Sequence, residues 1–83
     1  MARNATLPIV TSSEIKALRA LLGMTQAEFA ARYYIPVKTL QGWGQGRRAL
    51  DPASSAYLHL VAFNPDAAAS ALLWVAARAA REP

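Results

Sequence analysis

Ile35-Pro36 limits this chain more than any other pair of residues, because it falls between two stretches that each read as a helix. A residue before proline is pushed out of helical geometry, so a helix approaching from the N-terminal side must stop before Ile35. Proline itself is tolerated at a helix entrance, where its missing amide has no partner in any case, so a second helix can start at Val37. The first of the two starts at Gln26. Thr25 and Glu28 have the spacing at which a hydroxyl and a carboxylate reciprocally satisfy the first free amides, and Met24 with Phe29 adds the matching apolar staple. The stretch Thr25 to Arg48, TQAEFAARYYIPVKTLQGWGQGRR, therefore reads as a short helix, a tight turn and a second helix ending at Gly46 in a basic loop, the pattern of a helix-turn-helix.

Similar signals divide the remainder. Thr11 with Glu14, and Val10 with Ile15, repeat the box and the staple, so a first helix is predicted from Ser12 to about Leu22. In it Ile15, Leu18 and Leu22 form one apolar stripe, Lys16 and Arg19 take the outer face, and Gly23 closes the helix in a left-handed conformation. In the second helix Ala27, Phe29 and Ala30 are expected to face the core, with Ala27 small where two helices approach. The third, Val37 to about Gly44, buries Leu40 and Trp43. Asp51-Pro52 starts a fourth helix running to about Phe63, whose Tyr57, Leu58 and Val61 close over Leu40 and Trp43. Asn64-Pro65-Asp66 starts a fifth, from Pro65 to about Ala80. The expected fold is all-α, with residues 1–10 as an N-terminal arm and residues 11–83 as one domain. Leu7 to Val10 either lies extended on the domain or is a mobile terminus, and Arg3 is a single candidate for a groove contact. The fifth helix is apolar nearly all round at Leu72, Leu73, Trp74 and Val75. One of its faces is expected on the first and fourth helices, leaving Leu73 or Trp74 for a second subunit or another protein; a fully buried terminal helix is the alternative.

Composition narrows the function. At 83 residues the chain fits one domain, and 54% hydrophobic against 17% charged residues argue against disorder. No cysteine is present, which excludes disulfides and thiolate metal sites and suits a reducing cytoplasm. The apolar run from Ala67 to Ala77 is too short to span a bilayer, and the N-terminus has no apolar signal core. No glycine-rich phosphate loop occurs, the carboxylates are scattered, and His59 stands alone, so neither an enzyme, a cofactor nor a metal is expected. The net charge of +4 is unevenly spread. From Ile15 to Arg48 six bases (Lys16, Arg19, Arg32, Lys38, Arg47, Arg48) face Glu28 alone, whereas the segment after Arg48 is slightly acidic. Such asymmetry is the footprint of a face that docks on phosphates and releases their counterions.

The central stretch resembles the helix-turn-helix of lambdoid phage repressors and of the Xre class of bacterial regulators. The resemblance lies in Thr25, Gln26, Ala27, Glu28, Ala30, Ile35, Pro36, Val37, Thr39, Leu40, Trp43, Gly46, Arg47 and Arg48. With Ile15 to Arg19 ahead of it and Leu60, Asn64-Pro65-Asp66 and Leu72 behind, the span from Glu14 to Leu73 looks most like small HigA-type antitoxins. This implies a five-helix lambda-repressor-like domain that binds a palindromic operator in double-stranded DNA as a homodimer. It further implies a sequence-specific repressor, the antitoxin of a type II pair that controls its own operon and binds a toxin in the bacterial cytoplasm. The third helix would offer Val37, Lys38, Thr39 and Gln41 to the major groove. Lys38 would donate to guanine, Gln41 read adenine or touch phosphate, Val37 meet a thymine methyl, and Thr39 bond a phosphate or its own backbone. Gln26 would donate to a phosphate at a helix N-terminus or brace the next helix, and Arg47 and Arg48 would clamp phosphates. An ordinary exposed helix face is the structural alternative for these residues.

Three residues depart from the pattern. Gly42 stands where relatives usually carry a long polar reader, and Gly44 replaces the usual Glu, so the third helix is expected to read with fewer atoms and to fray. Tyr34 occupies a turn position that favours glycine, which implies either strain at positive φ or a different turn, with the ring free to point outward. These departures sustain a second reading, a protein-interaction module with weakened DNA readout.

Overall fold

The computed structural model describes residues 6–81, and the helices are α1 (Ser12–Leu22), α2 (Gln26–Arg32), α3 (Val37–Gly44), α4 (Pro52–Phe63) and α5 (Pro65–Arg81). No strand occurs among the described residues. Arg3 lies outside them. The first two helices start at complete capping boxes, Thr11 with Glu14 and Thr25 with Glu28. Asp51 accepts from the Ser54 amide to start α4, and Asn64 Oδ1 accepts from the Ala67 amide to start α5. Hydrogen bonds from the Ser54 side chain and backbone lower the Asp51 carboxyl below its ordinary value. Gly23, at φ 67°, ends α1 with its own amide on Ala20 and that of Met24 on Arg19, as only a residue free to adopt positive φ allows.

A core of Ile15, Phe29, Tyr33, Leu40, Leu58 and Val61 is almost wholly shut off from solvent. Val10, Ala30, Ile35, Trp43, Leu50 and Ala69 complete it, with Leu18, Leu22, Met24, Tyr57 and Leu72 half-buried around it. Two expectations are corrected here. Ala27 is exposed; Phe29, Ala30 and Tyr33 are the inward residues of this segment, with the Phe29 and Tyr33 rings 4.9 Å apart at 50°. And α5 packs chiefly on α4 rather than on α1, the pair being bent by 115° at Asn64. Of α5 only Ala69 is buried, and nothing from Leu73 to Arg81 is. The helix overshoots the body it packs on. No single helix among the described residues is long and apolar enough to cross a membrane.

Side-chain hydrogen bonds tie distant segments together. The Tyr33 hydroxyl donates to the Pro65 carbonyl at 3.1 Å, and Arg32, which also donates to that hydroxyl, pairs with Asp66 at 3.3 Å. This joins α2 to the start of α5 and removes Arg32 from the free basic residues. Arg19, expected on the outer face, is half-buried and donates to the Met24 carbonyl at 3.0 Å. The segment before α1 lies on α4: the buried Val10 donates its amide to Ser55 Oγ at 2.9 Å, and His59 Nε2 donates to the Pro8 carbonyl at 2.8 Å. His59 is thus a structural residue. Ser55 is fully buried, so Ser55→Ala strands a buried amide and should lower unfolding free energy by about 1–3 kcal/mol, as urea denaturation would read. Ser55→Thr, which keeps the hydroxyl, should lose less.

Candidate functional site

The site is built on α3, whose two sides are sharply different. Leu40 and Trp43 are buried in the core, while Lys38 and Gln41 are exposed on the opposite side, as is Val37 at the first turn. The amphipathic period, apolar at i and i+3, sets this orientation. No side chain caps α3, because the residue before it is Pro36. Its first amides have no side-chain acceptor.

The C-terminal end of α3 is held by the loop that follows. The amides of Arg47 and Arg48 both donate to the Gly42 carbonyl, at 2.9 and 3.2 Å, and that of Gln45 donates to Gln41 at 2.9 Å. Gly46, at φ 74°, makes the return possible. Arg48 is folded back against the helix, so that a Cβ on Gly42 would stand 3.5 Å from its own Cβ. Gly44 is buried, and its carbonyl accepts from Ser12 Oγ at 2.8 Å, pinning α3 to the start of α1. The helix therefore does not fray at its glycines, contrary to the expectation from propensity. Side-chain and loop hydrogen bonds supply what two glycines lose, about 1 kcal/mol each.

Gln26 is half-buried, and a Cβ on Gly44 would meet its Nε2 at 3.5 Å. Its side chain thus lies against the end of α3. Thr39 is half-buried rather than outward, on the wall of an apolar cleft of about 410 Å³ shared with Tyr34, Trp43, Tyr57 and Leu72. The structure therefore brings Lys38, Gln41, Arg47 and Arg48 to the surface around α3, with Val37 at its entrance and Gln26 behind its end. No ion pair involves Lys38, Arg47 or Arg48 among the described residues. Leu73 and Trp74 lie elsewhere, exposed on α5. Ser12 is the residue the sequence reading missed: its hydroxyl supports the site across 32 positions of chain, and nothing local marks it.

Between α2 and α3 the turn is fixed at three points. The Ile35 amide donates to Ala30 at 2.9 Å, the Tyr57 hydroxyl donates to the Tyr33 carbonyl at 2.7 Å, and Tyr34 adopts φ 57°. Of the two alternatives for Tyr34, the strained one holds, and its ring is exposed. Burial, and then the neighbouring Tyr33, raise the Tyr57 hydroxyl above its ordinary value.

No protein-family model matches the sequence, and no curated protein matches it significantly. What can be concluded about identity is a small all-helical domain of five helices.

Two outcomes test the turn. Tyr34→Gly should be more stable than Tyr34→Ala by about 1 kcal/mol in thermal unfolding, since both lose the same ring and only glycine tolerates positive φ. The order would reverse if that φ were helical. A group whose folded-state pKa is raised stabilises fully below its unfolded pKa, and that contribution is lost as pH rises through the folded value. The Tm of the parent should accordingly fall more steeply than that of Tyr57→Phe above a pH of about 10.

Proposed function

We propose that this chain is a DNA-binding transcriptional repressor of the helix-turn-helix type, with a lambda-repressor-like fold, acting as a homodimer. In this reading α2 and α3 are the two helices of the motif. Two copies of α3 enter successive major grooves of a palindromic operator, one helical turn or a multiple of it apart. Lys38 and Gln41 face base edges, Val37 meets the groove at the entrance of α3, and Arg47 and Arg48 hold phosphates on its flank. Gln26 and Thr39 act mainly by holding α3 and its turn in place. The observation that carries the reading is the convergence around one helix of unpaired positive charge and exposed donors, on the side opposite Leu40 and Trp43.

A binding protein is favoured over an enzyme by how the carboxylates are used. Glu14, Glu28 and Asp51 each cap a helix and Asp66 pairs with Arg32, so none is held near another titratable group in the manner of an acid–base pair. The resemblance to HigA-type antitoxins extends the proposal to a type II toxin–antitoxin pair that controls its own operon in the bacterial cytoplasm, with the apolar surface of α4 and α5 able to take a toxin. The second reading, a protein-interaction module with weakened DNA readout, is favoured by one observation. Gly42 leaves the middle of the outer side of α3 without a side chain of its own, and Arg48 is the nearest group to that gap.

Binding to the DNA upstream of its own gene, followed by gel shift or anisotropy across a salt series, tests both. Lys38→Ala should weaken binding by about 1–3 kcal/mol and relax the choice of base if Lys38 reads a guanine. Arg47→Ala should weaken binding to all sequences alike and reduce the slope of log affinity against log salt by about one. A flat salt dependence in the parent would exclude DNA as the partner and leave the interaction module.

A further inference from the structure

Five of the ten exposed large apolar side chains among the described residues, Leu60, Phe63, Leu73, Trp74 and Val75, lie on α4 and α5. Phe63 is 88% exposed, Leu60 67%, Trp74 61% and Val75 55%. At 100° per residue Ala67, Ala71, Trp74 and Arg78 fall on one face of α5, at i, i+4, i+7 and i+11, with Val75 beside them. Leu60 and Phe63 of α4 adjoin the N-terminal end of that face, and between the two helices runs a groove of about 430 Å³ floored by Ala67, Ala68 and Ala71. A protruding indole thus stands a turn beyond an alanine-lined hollow on the same helix. Leu73 does not share this face. It precedes Trp74, about 100° away around the helix, and stands 64% exposed on the other flank of α5, one turn beyond the buried Ala69.

We propose that this face pairs with a second copy of itself, α5 against α5 in antiparallel, with Trp74 of each copy seated over Ala71 in the hollow of the other. The inference deepens the proposed homodimer and rests on that part of the reading alone, not on DNA recognition. A two-fold contact requires a surface that complements itself, and knob and hollow one turn apart on one helix meet that requirement. Alanines at Ala67 and Ala71 let two helix backbones approach closely. The area is adequate: with about 200 Å² for a large aromatic side chain and somewhat less for an aliphatic one, the exposed parts of Leu60, Phe63, Trp74 and Val75 reach roughly 500 Å². Adding the alanines and the stem of Arg78 brings each copy to roughly 700 Å², close to the ~800 Å² typical of one side of a stable interface. Charge decides the direction. Arg78 and Arg81 both lie in the last turn and Asp66 in the first, its side chain 94% exposed. A parallel pair would set arginines against arginines, whereas the antiparallel pair separates them and sets each beside the acidic first turn, whose Asp66 is already paired with Arg32 of its own chain. The guanidinium of Arg78 already lies 5.3 Å from the centre of the Trp74 ring, so the ring is presented with its cation beside it.

Sedimentation equilibrium on the full chain at tens of micromolar reads the outcome. The parent should have the mass of two chains, and Ala71→Glu and Trp74→Ser the mass of one, with helical circular dichroism unchanged. Leu73→Glu, off the face, should remain a dimer. Should Ala71→Glu lose its helical signal, Trp74→Ser decides. A monomeric parent, or a dimer broken by Leu73→Glu and not by the other two, overturns the inference; a monomer would leave the face to a different protein, such as a toxin. The two proposals fail separately. A dimer with no salt-dependent DNA binding removes the repressor and keeps this interface, whereas a monomer with a steep salt slope removes this interface, and the homodimer with it, and leaves DNA binding standing.

Discussion

Tyr33 is the residue on which the arrangement depends. Its ring is buried beside Phe29, its hydroxyl bonds the first carbonyl of α5, and its own carbonyl receives the hydroxyl of Tyr57 from α4. Three helices are thus referred to one residue at the point where the chain leaves α2. A buried polar network of this kind is stable only when every member is satisfied, and no buried side-chain nitrogen or oxygen lacks a partner among the described residues. The left-handed Tyr34 follows directly. Its backbone costs of order 1 kcal/mol, and it persists because Tyr33 on one side and Ile35 on the other are both held in the core.

From that turn the position of α3 follows. Leu40 and Trp43 lock one side of it inward, Ser12 holds its C-terminal end with Gln26 packed beside it, and the amides of Arg47 and Arg48 draw the loop back onto Gly42. α3 needs such support, because its own eight residues are too few to be stable as an isolated helix. The glycines then take on a structural meaning. Gly44 is where α1 and the Gln26 side chain approach the backbone, and Gly42 is where the arginine loop does. Both give up helix propensity, and a Cβ at either would stand at an ordinary contact distance of 3.5 Å, so closeness alone does not demand glycine there. This packing leaves Lys38, Gln41, Arg47 and Arg48 exposed around α3, which is why the repressor reading turns on them.

Charge in the sequence marked the basic half of the chain but was a poor guide to individual residues. Of six bases between Ile15 and Arg48, Arg19 serves the turn after α1 and Arg32 serves α5. A guanidinium goes to the best acceptor within reach, and Asp66 is 34 positions away in sequence. The apolar character of α5 behaved in the same way. Four consecutive large apolar residues announced an unpartnered surface, but consecutive helical residues point about 100° apart, and only the body of the domain shows which directions remain open.

By itself the sequence determined where helices begin and end, because capping boxes, staples and Ile35-Pro36 act over three or four residues and need nothing from the rest of the fold. It also determined the inward pair Leu40 and Trp43, through the helical period. Tertiary structure decided which side of the seven-residue α2 is inward, so that Ala27 is exposed while Tyr33 is buried. It decided that Ser12, Ser55 and His59 are structural, since their partners lie 32 to 51 positions away and hydrogen bonds of that span leave no periodic trace. And it decided that α5 overshoots α4, because the length of a helix is written in its residues but the extent of the surface it covers belongs to its neighbours.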